Sequence, residues 1–349
     1  MTIADERTLL GPETSLPRTR RAAAGALIAG AGVLALLCVL SIVIGSKQIP
    51  FDDIARALTA PDDGETTAIV RGLRVPRTAV GLLAGMALGV AGALMQALTR
   101  NPLADPGLFG VSAGAAFGVA VSIAVAGITS LYGYIWFALA GALVAGVLAH
   151  LIGSLGRGGA SPVKLALAGV ATSSLLGSLT AALVLLDPIA LNRYRFWSAG
   201  SLAGQSPGVL VRVLPLIAVG LAIALALAPR LNSLALGEDV ARGLGLRTGR
   251  IRLAGAAAVT LLTASAVAVA GPIVFLGLVI PHVARLTAGP DYRWVITLSA
   301  LFGPCLLIGA DIIGRVVAPP QEIQVGIVTA LIGGPFFIAL VRRRRIAEL

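Results

Sequence analysis

Long stretches without a formal charge alternate along the whole chain with short polar segments, many of them basic. A transmembrane helix needs about 20 apolar residues to cross the hydrocarbon core. Six runs each supply one crossing: 22–45, 78–99, 165–186, 213–229, 294–310 and 323–341. Between Arg100 and Arg157 the sole formal charge is Asp105, and "SLYG" at 130–133 offers a turn, so two crossings fit there. Residues 253–284 are also charge-free. Gly271-Pro272 interrupts them, which predicts two short helices, the second running through Pro281 toward Arg285. The pattern predicts an all-α polytopic membrane protein of about ten transmembrane helices.

One segment breaks that alternation. "LNSLALGEDVARGLGLRTGRIR" (231–252) is a charged, glycine-punctuated island between two apolar runs. Its central "LALGEDVARGLGL" reads as a short helix. Gly237 permits a sharp turn into it, and Glu238 and Asp239 suit a helix N-terminus. Val240 and Leu244, four apart, form an apolar stripe, and Gly243 and Gly245 allow the exit turn. Two other polar interruptions, "NPLADPGLFGVSAG" (101–114) and "GPIVFLGLVIPHVAR" (271–285), place prolines and glycines between apolar helices, as in transporters built from repeats.

Composition agrees with this picture. Of 349 residues, 57% are hydrophobic and 12% charged, with mean hydropathy +0.94; soluble domains carry about 25% charged residues. The net charge of +11 is scattered through short loops instead of gathered on one face, so it points to membrane topology and away from nucleic acid. Arg18, Arg20 and Arg21 precede the first span and Arg342 to Arg345 follow the last. Both termini are therefore expected in the cytoplasm, which places 18 of the 27 basic residues inside and 9 outside. The first run, Ala22 to Gly45, is too long for a signal-peptide core and reads as a retained span. The organisation is a cytoplasmic tail (1–21), a transmembrane domain (22–341) containing the charged segment 231–252, and a basic tail (342–349).

The chain offers little catalytic chemistry. Cys38 and Cys305 lie in apolar runs without metal-ligand neighbours, and two histidines, His150 and His282, exclude an H-E-x-x-H site. Neither lysine, Lys47 or Lys164, stands in a phosphate-binding loop, and "GAGVLA" at 30–35 sits mid-span with no strand before it. No ionisable residue lies deep in a predicted span, which disfavours an ion-coupled carrier. Small residues at four-residue spacing, Gly81, Gly85 and Gly89 among them, predict close helix packing.

Five ordered stretches carry a family resemblance: "LRVPRT" (73–78), "GALMQALTRNPLADPGLFGVSAGA" (92–115), "LALGEDVARGLGL" (234–246), "GPIVFLGLVIPHVARL" (271–286) and "IGADIIGR" (308–315). They resemble the permeases of type II ABC importers for iron-siderophores, haem and vitamin B12. The resemblance implies a ten-helix subunit paired with a second permease, identical or homologous. Two cytoplasmic ATPases using ATP and Mg would supply energy, and an extracytoplasmic binding protein would deliver cargo. The chain itself would bind no cofactor and no metal and would not be an enzyme. Its place would be the cytoplasmic membrane.

The resemblance also implies roles for residues. Leu236, Gly237, Glu238, Asp239, Val240, Arg242, Gly243 and Leu244 would form the element that sits in a groove of the ATPase. Arg74, Arg77 and Arg315 would line the external rim and pair with acidic residues of the binding protein. An internal pair of Arg315 with Asp311, four residues earlier, is the competing reading. Thr172, Leu176 and Thr180 on the fifth span, with Gly326, Thr329 and Gly333 on the tenth, would line the pathway. Arg193 and Arg195 are further outer candidates, and His282 reads as a structural residue. A ferric siderophore is the expected cargo. Haem or cobalamin is the alternative within the family, and an ion-coupled carrier or a structural membrane partner the alternatives outside it.

Overall fold

The computed structural model describes residues 16–128, 130–155, 162–205, 207–319 and 321–343. Ten apolar helices follow in order: α1 (Leu16–Val43), α2 (Val75–Thr99), α3 (Val111–Ala124), α4 (Leu131–Ser154) and α5 (Pro162–Leu186), then α6 (Pro207–Ala235), α7 (Thr248–Ala270), α8 (Leu276–Ala288), α9 (Tyr292–Val317) and α10 (Val325–Arg343). Seven are long and apolar enough to cross a membrane, whereas α3, α8 and the apolar part of α10, Val325–Leu340, are shorter. At 1.5 Å per residue, the 14 residues of α3 reach about 21 Å. Short polar helices lie between the spans: Phe51–Thr59, Glu65–Ile69, Pro188–Ser198 and Glu238–Gly243.

One expectation needs correction. The stretch 253–284 holds one full-length helix and one short one, because α7 begins at Thr248, five residues before the charge-free run. Charged Arg250 and Arg252 in its first turns do not stop it, since near a helix end their long side chains can reach polar surroundings. Its far end is fixed by Gly271, whose φ of 71° lies where an L side chain is strained, followed at once by Pro272.

The buried centre of the bundle is α2 and α7, both largely enclosed, whereas α1 and α5 expose most of their surface. α2 packs against α9, α7, α8 and α6. The glycine ladder in α2 explains the intimacy. A Cβ at Gly85 would stand 2.6 Å from the Pro304 backbone, at Gly89 2.4 Å from Ser299 O, and at Gly92 1.9 Å from Gly277 O. Those positions bring α9 and α8 almost into backbone contact with α2, the geometry that small residues permit in lipid. The same order recurs in both halves: a buried long helix, a proline- and glycine-containing break, then a short helix (α2–α3 and α7–α8).

Candidate functional site

The charged island folds as a tight bracket between α6 and α7. Gly237 takes φ 122° to turn the chain out of α6, the helix Glu238–Gly243 follows, and Gly245 takes φ 80° to turn it back. Gly243 remains the last helical residue, so the exit turn rests on Gly245. Ala241 is fully buried beneath the bracket and its carbonyl accepts from Leu246 N at 3.0 Å. Glu238 turns inward and braces it. Its carboxylate accepts from Arg242 Nη2 at 2.7 Å, Arg252 Nη2 at 2.7 Å and Thr248 Oγ1 at 3.2 Å. Burial opposes ionisation of Glu238, but the Arg252 and Arg242 guanidiniums outweigh it and hold the carboxyl below its ordinary range.

With Glu238 turned inward, the outward face is apolar. Leu236, Val240 and Leu244, at four-residue spacing, are 70%, 49% and 63% exposed. Asp239 and Arg242 flank them in solvent. Val240 on the braced helix, with Leu236 and Leu244 at its two ends, forms an exposed apolar surface shaped for a partner. The bracket is also tied to a third span. Asn232, near the end of α6, donates to Asp291 Oδ1 at 2.7 Å and accepts from Tyr292 N at 2.8 Å, where α9 begins.

At the end of the bundle that the charge bias assigns outside, the structure gathers Arg74, Arg77 and Arg315 and commits them inward. Arg77 grips Asp311 through Nη2 (2.8 Å) and Nε (3.0 Å) and reaches Glu322 with Nη1 at 2.7 Å. Arg315 pairs with Asp311 Oδ2 at 2.8 Å, the oxygen that Arg77 Nε also reaches. It also donates to the Ser41 and Ile44 carbonyls at 2.8 and 2.7 Å. Arg74 donates to the carbonyls of Ile42, Val43 and Lys47. All but the Lys47 carbonyl lie at or just past the end of α1, where no intrahelical donor remains, so two guanidiniums cap a helix that little else buries. Arg74 and Arg315 are 5% and 3% exposed and present no charge to an approaching protein. In this single chain their hydrogen bonds are internal, to the end of α1 and, for Arg315, to Asp311. Arg77 retains slight exposure beside a cavity of about 310 Å³ that it shares with Arg74, Arg315 and Glu322.

The expected pathway residues on α5 and α10 are mostly enclosed within this chain. Thr172, Thr180, Gly326, Thr329 and Gly333 are buried against this chain's own helices, and Leu176 is half-buried. Thr172 and Thr180 hydroxyls donate to carbonyls one turn back. A Cβ at Gly326 would lie 2.2 Å from Ala199 O, and one at Gly333 2.3 Å from Phe275 Cβ. Gly326 and Gly333 are thus notches into which neighbouring segments pack closely. The open face of α5 carries Ser174, Leu175, Gly177 and Ser178, and that of α10 carries Ile327, Leu331 and Pro335. His282 packs edge-on against Phe336 with ring centroids 5.8 Å apart, a packing role.

The comparison with known proteins decides the family: residues 33–343 match the FecCD transport family. The chain belongs to that family. It is 47% identical over 320 residues to the ferric enterobactin transport system permease protein of Escherichia coli (strain K12), covering 91% of this chain and 96% of that one. It is 42% identical over 320 residues to the iron(3+)-hydroxamate import system permease protein of Bacillus subtilis (strain 168), covering 91% and 83%. A cobalamin import system permease protein of Halobacterium salinarum is 36% identical over 97% of this chain and 92% of its own. Among solved structures, a metal-chelate-type ABC transporter in an inward-facing conformation superposes with TM-score 0.79 at 28% identity, covering 91% of this chain and 98% of that one. This FecCD protein is thus a multi-pass permease of an ABC importer.

Arg252, Thr248 and Asn232, which hold the bracket, were not singled out from the sequence. Nor was the bond between Arg77 and Asp311, 234 positions apart. The Asp311–Arg315 pair was visible in the four-residue spacing.

Proposed function

We propose that this permease moves ferric siderophores across the cytoplasmic membrane, both termini inside, driven by ATP and Mg²⁺ bound to two partner ATPases. The braced helix Glu238–Gly243, with Leu236 and Leu244 beside it, is the coupling element. Its exposed Leu236–Val240–Leu244 stripe is the observation that carries the proposal, because it is the apolar surface a cytoplasmic partner would cover. Closure of the ATPases would push the bracket, and the push would pass to α6 and α7 directly and to α9 through Asn232 and Asp291. The 47% identity to a ferric enterobactin permease and the 42% identity to an iron(3+)-hydroxamate permease support ferric chelates as cargo.

A second permease, identical or homologous, would cover the open faces of α5 and α10 and complete the pathway. An extracytoplasmic binding protein would rest on the outer surface. Arg74 and Arg315 contribute there by fixing the end of α1, and Arg77, still slightly exposed, by tying α2 to Asp311 and Glu322. The test is ATP-driven uptake by the reconstituted transporter, supplied in turn with ferric tris-catecholate, ferric trihydroxamate, haem and cobalamin. Uptake of a ferric chelate in preference to the other two supports the reading; preference for haem or cobalamin replaces it.

A further inference from the structure

A groove of about 390 Å³ runs between α4 and α7, along the half of each helix that the charge bias places toward the cytoplasm. Gly146 lets the two helices close on each other at one level, where a Cβ would lie 2.7 Å from Thr260 Cγ2. Gly146 and Ala256 are buried at the groove, whereas Val147, Leu151 and Leu253 stand exposed beside them. Both helices are long and apolar enough to cross a membrane. The groove therefore opens toward hydrocarbon, and its width and lining suit an aliphatic chain.

Arg250 adds a charge to the cytoplasmic mouth. It precedes Leu253 by three residues, which makes the two neighbours on one helix face. Helical side chains lean toward the helix N-terminus, here the cytoplasmic end, so the guanidinium points to the level of lipid headgroups. Arg250 is exposed and makes no ion pair or side-chain hydrogen bond among the described residues. It is also turned away from the bracket. Arg252, about 160° around the helix from it, is the arginine that reaches Glu238. An exposed cation at the end of an apolar groove complements a molecule with an anionic head and a hydrocarbon tail.

We propose that the α4–α7 groove holds one acyl chain of an anionic phospholipid of the cytoplasmic leaflet, with its phosphate on Arg250. This goes beyond the transport reading and does not depend on the cargo. A zwitterionic phospholipid offers the same chains and phosphate, but its own ammonium offsets the charge that Arg250 attracts.

The test is native mass spectrometry of the assembled transporter in detergent, titrated with phosphatidylglycerol and with phosphatidylcholine of identical chains. An arginine near the membrane surface favours an anionic lipid by about fivefold. The wild type should bind its first phosphatidylglycerol tighter than its first phosphatidylcholine by that factor. Arg250→Gln should abolish the preference, and Arg250→Lys should keep it. Ala257→Leu, which narrows the groove, should weaken both lipids. Arg293→Gln, an equal loss of charge at the start of α9, should change neither. Arg250 and Ala257 are both exposed, so these changes leave the packing of the bundle intact. Equal binding of the two lipids by the wild type, a preference that survives Arg250→Gln, or unchanged binding by Ala257→Leu would overturn the site. So would an equal loss in Arg293→Gln, which would make the preference a general effect of basic charge. In nanodiscs containing phosphatidylglycerol, p-benzoylphenylalanine in place of Ala257 should cross-link to phospholipid. Adducts with an ATPase or a second permease instead would show that protein covers the groove, and the proposal would fall.

Discussion

Replacing Val240 and Leu244 together by alanine isolates the partner-facing stripe, because neither side chain braces the bracket. Burying a CH₂ group is worth about 0.8 kcal/mol. Val→Ala removes two carbons and Leu→Ala three, but only the exposed share, 49% and 63%, remains for a partner to cover. The combined loss is then about 2.3 kcal/mol, or about 40-fold in affinity at 1.4 kcal/mol per tenfold. Alanine is a good helix former, so the helix Glu238–Gly243 should persist. The assay is titration of the purified ATPase onto the permease in nanodiscs, with the variant checked for unchanged thermal unfolding. Weakening by less than threefold, with the fold intact, would mean that the stripe faces something other than the ATPase.

Asp311→Asn should destabilise the permease by about 3–5 kcal/mol, since Arg77 and Arg315 would then share no buried carboxylate. The check is the thermal midpoint in detergent, and an unchanged midpoint would remove the outer cluster from the account of stability. Glu238 has its carboxyl held below the ordinary value of 4.5, so the brace is fully present above that value and is lost as pH falls through the lower folded one. Hydrogen exchange of amides 238–246 should therefore be flat through the neutral range, apart from the intrinsic chemical rate, and accelerate only in acid below about 4.5; protection lost near neutrality would contradict the pairing. Cysteines at Asp62 and Gly204 should label with an impermeant reagent from outside, and one at Gly249 only after the membrane is opened. External labelling at Gly249 would invert the topology.

Much of this architecture was legible because lipid imposes a simple code. Runs of about 20 uncharged residues must be helices, and Gly-Pro at 271–272 had to end one of them. The helix at 238–243 was equally readable, since Gly237, the acidic first turn and Gly245 after it are local signals. What the pattern could not supply was rotation. Thr172, Thr180, Gly326 and Gly333 are small and mild, which suits a pathway wall and a tight helix crossing equally well. Only the positions of Ala199 and Phe275 show that packing claimed the two glycines. The arginines illustrate the same limit. Their place near helix ends was plain, but the free carbonyls at the end of α1, which Arg74 and Arg315 satisfy, come from a helix about 30 positions away in one case and 270 in the other.

The claim that the Glu238–Gly243 bracket is where the energy source attaches can be tested in intact cells with p-benzoylphenylalanine placed at Val240. Illumination should join the permease to a cytoplasmic ATPase subunit, and the yield should change when ATP is trapped with vanadate. Adducts with lipid alone, or with an extracytoplasmic protein, would contradict the account.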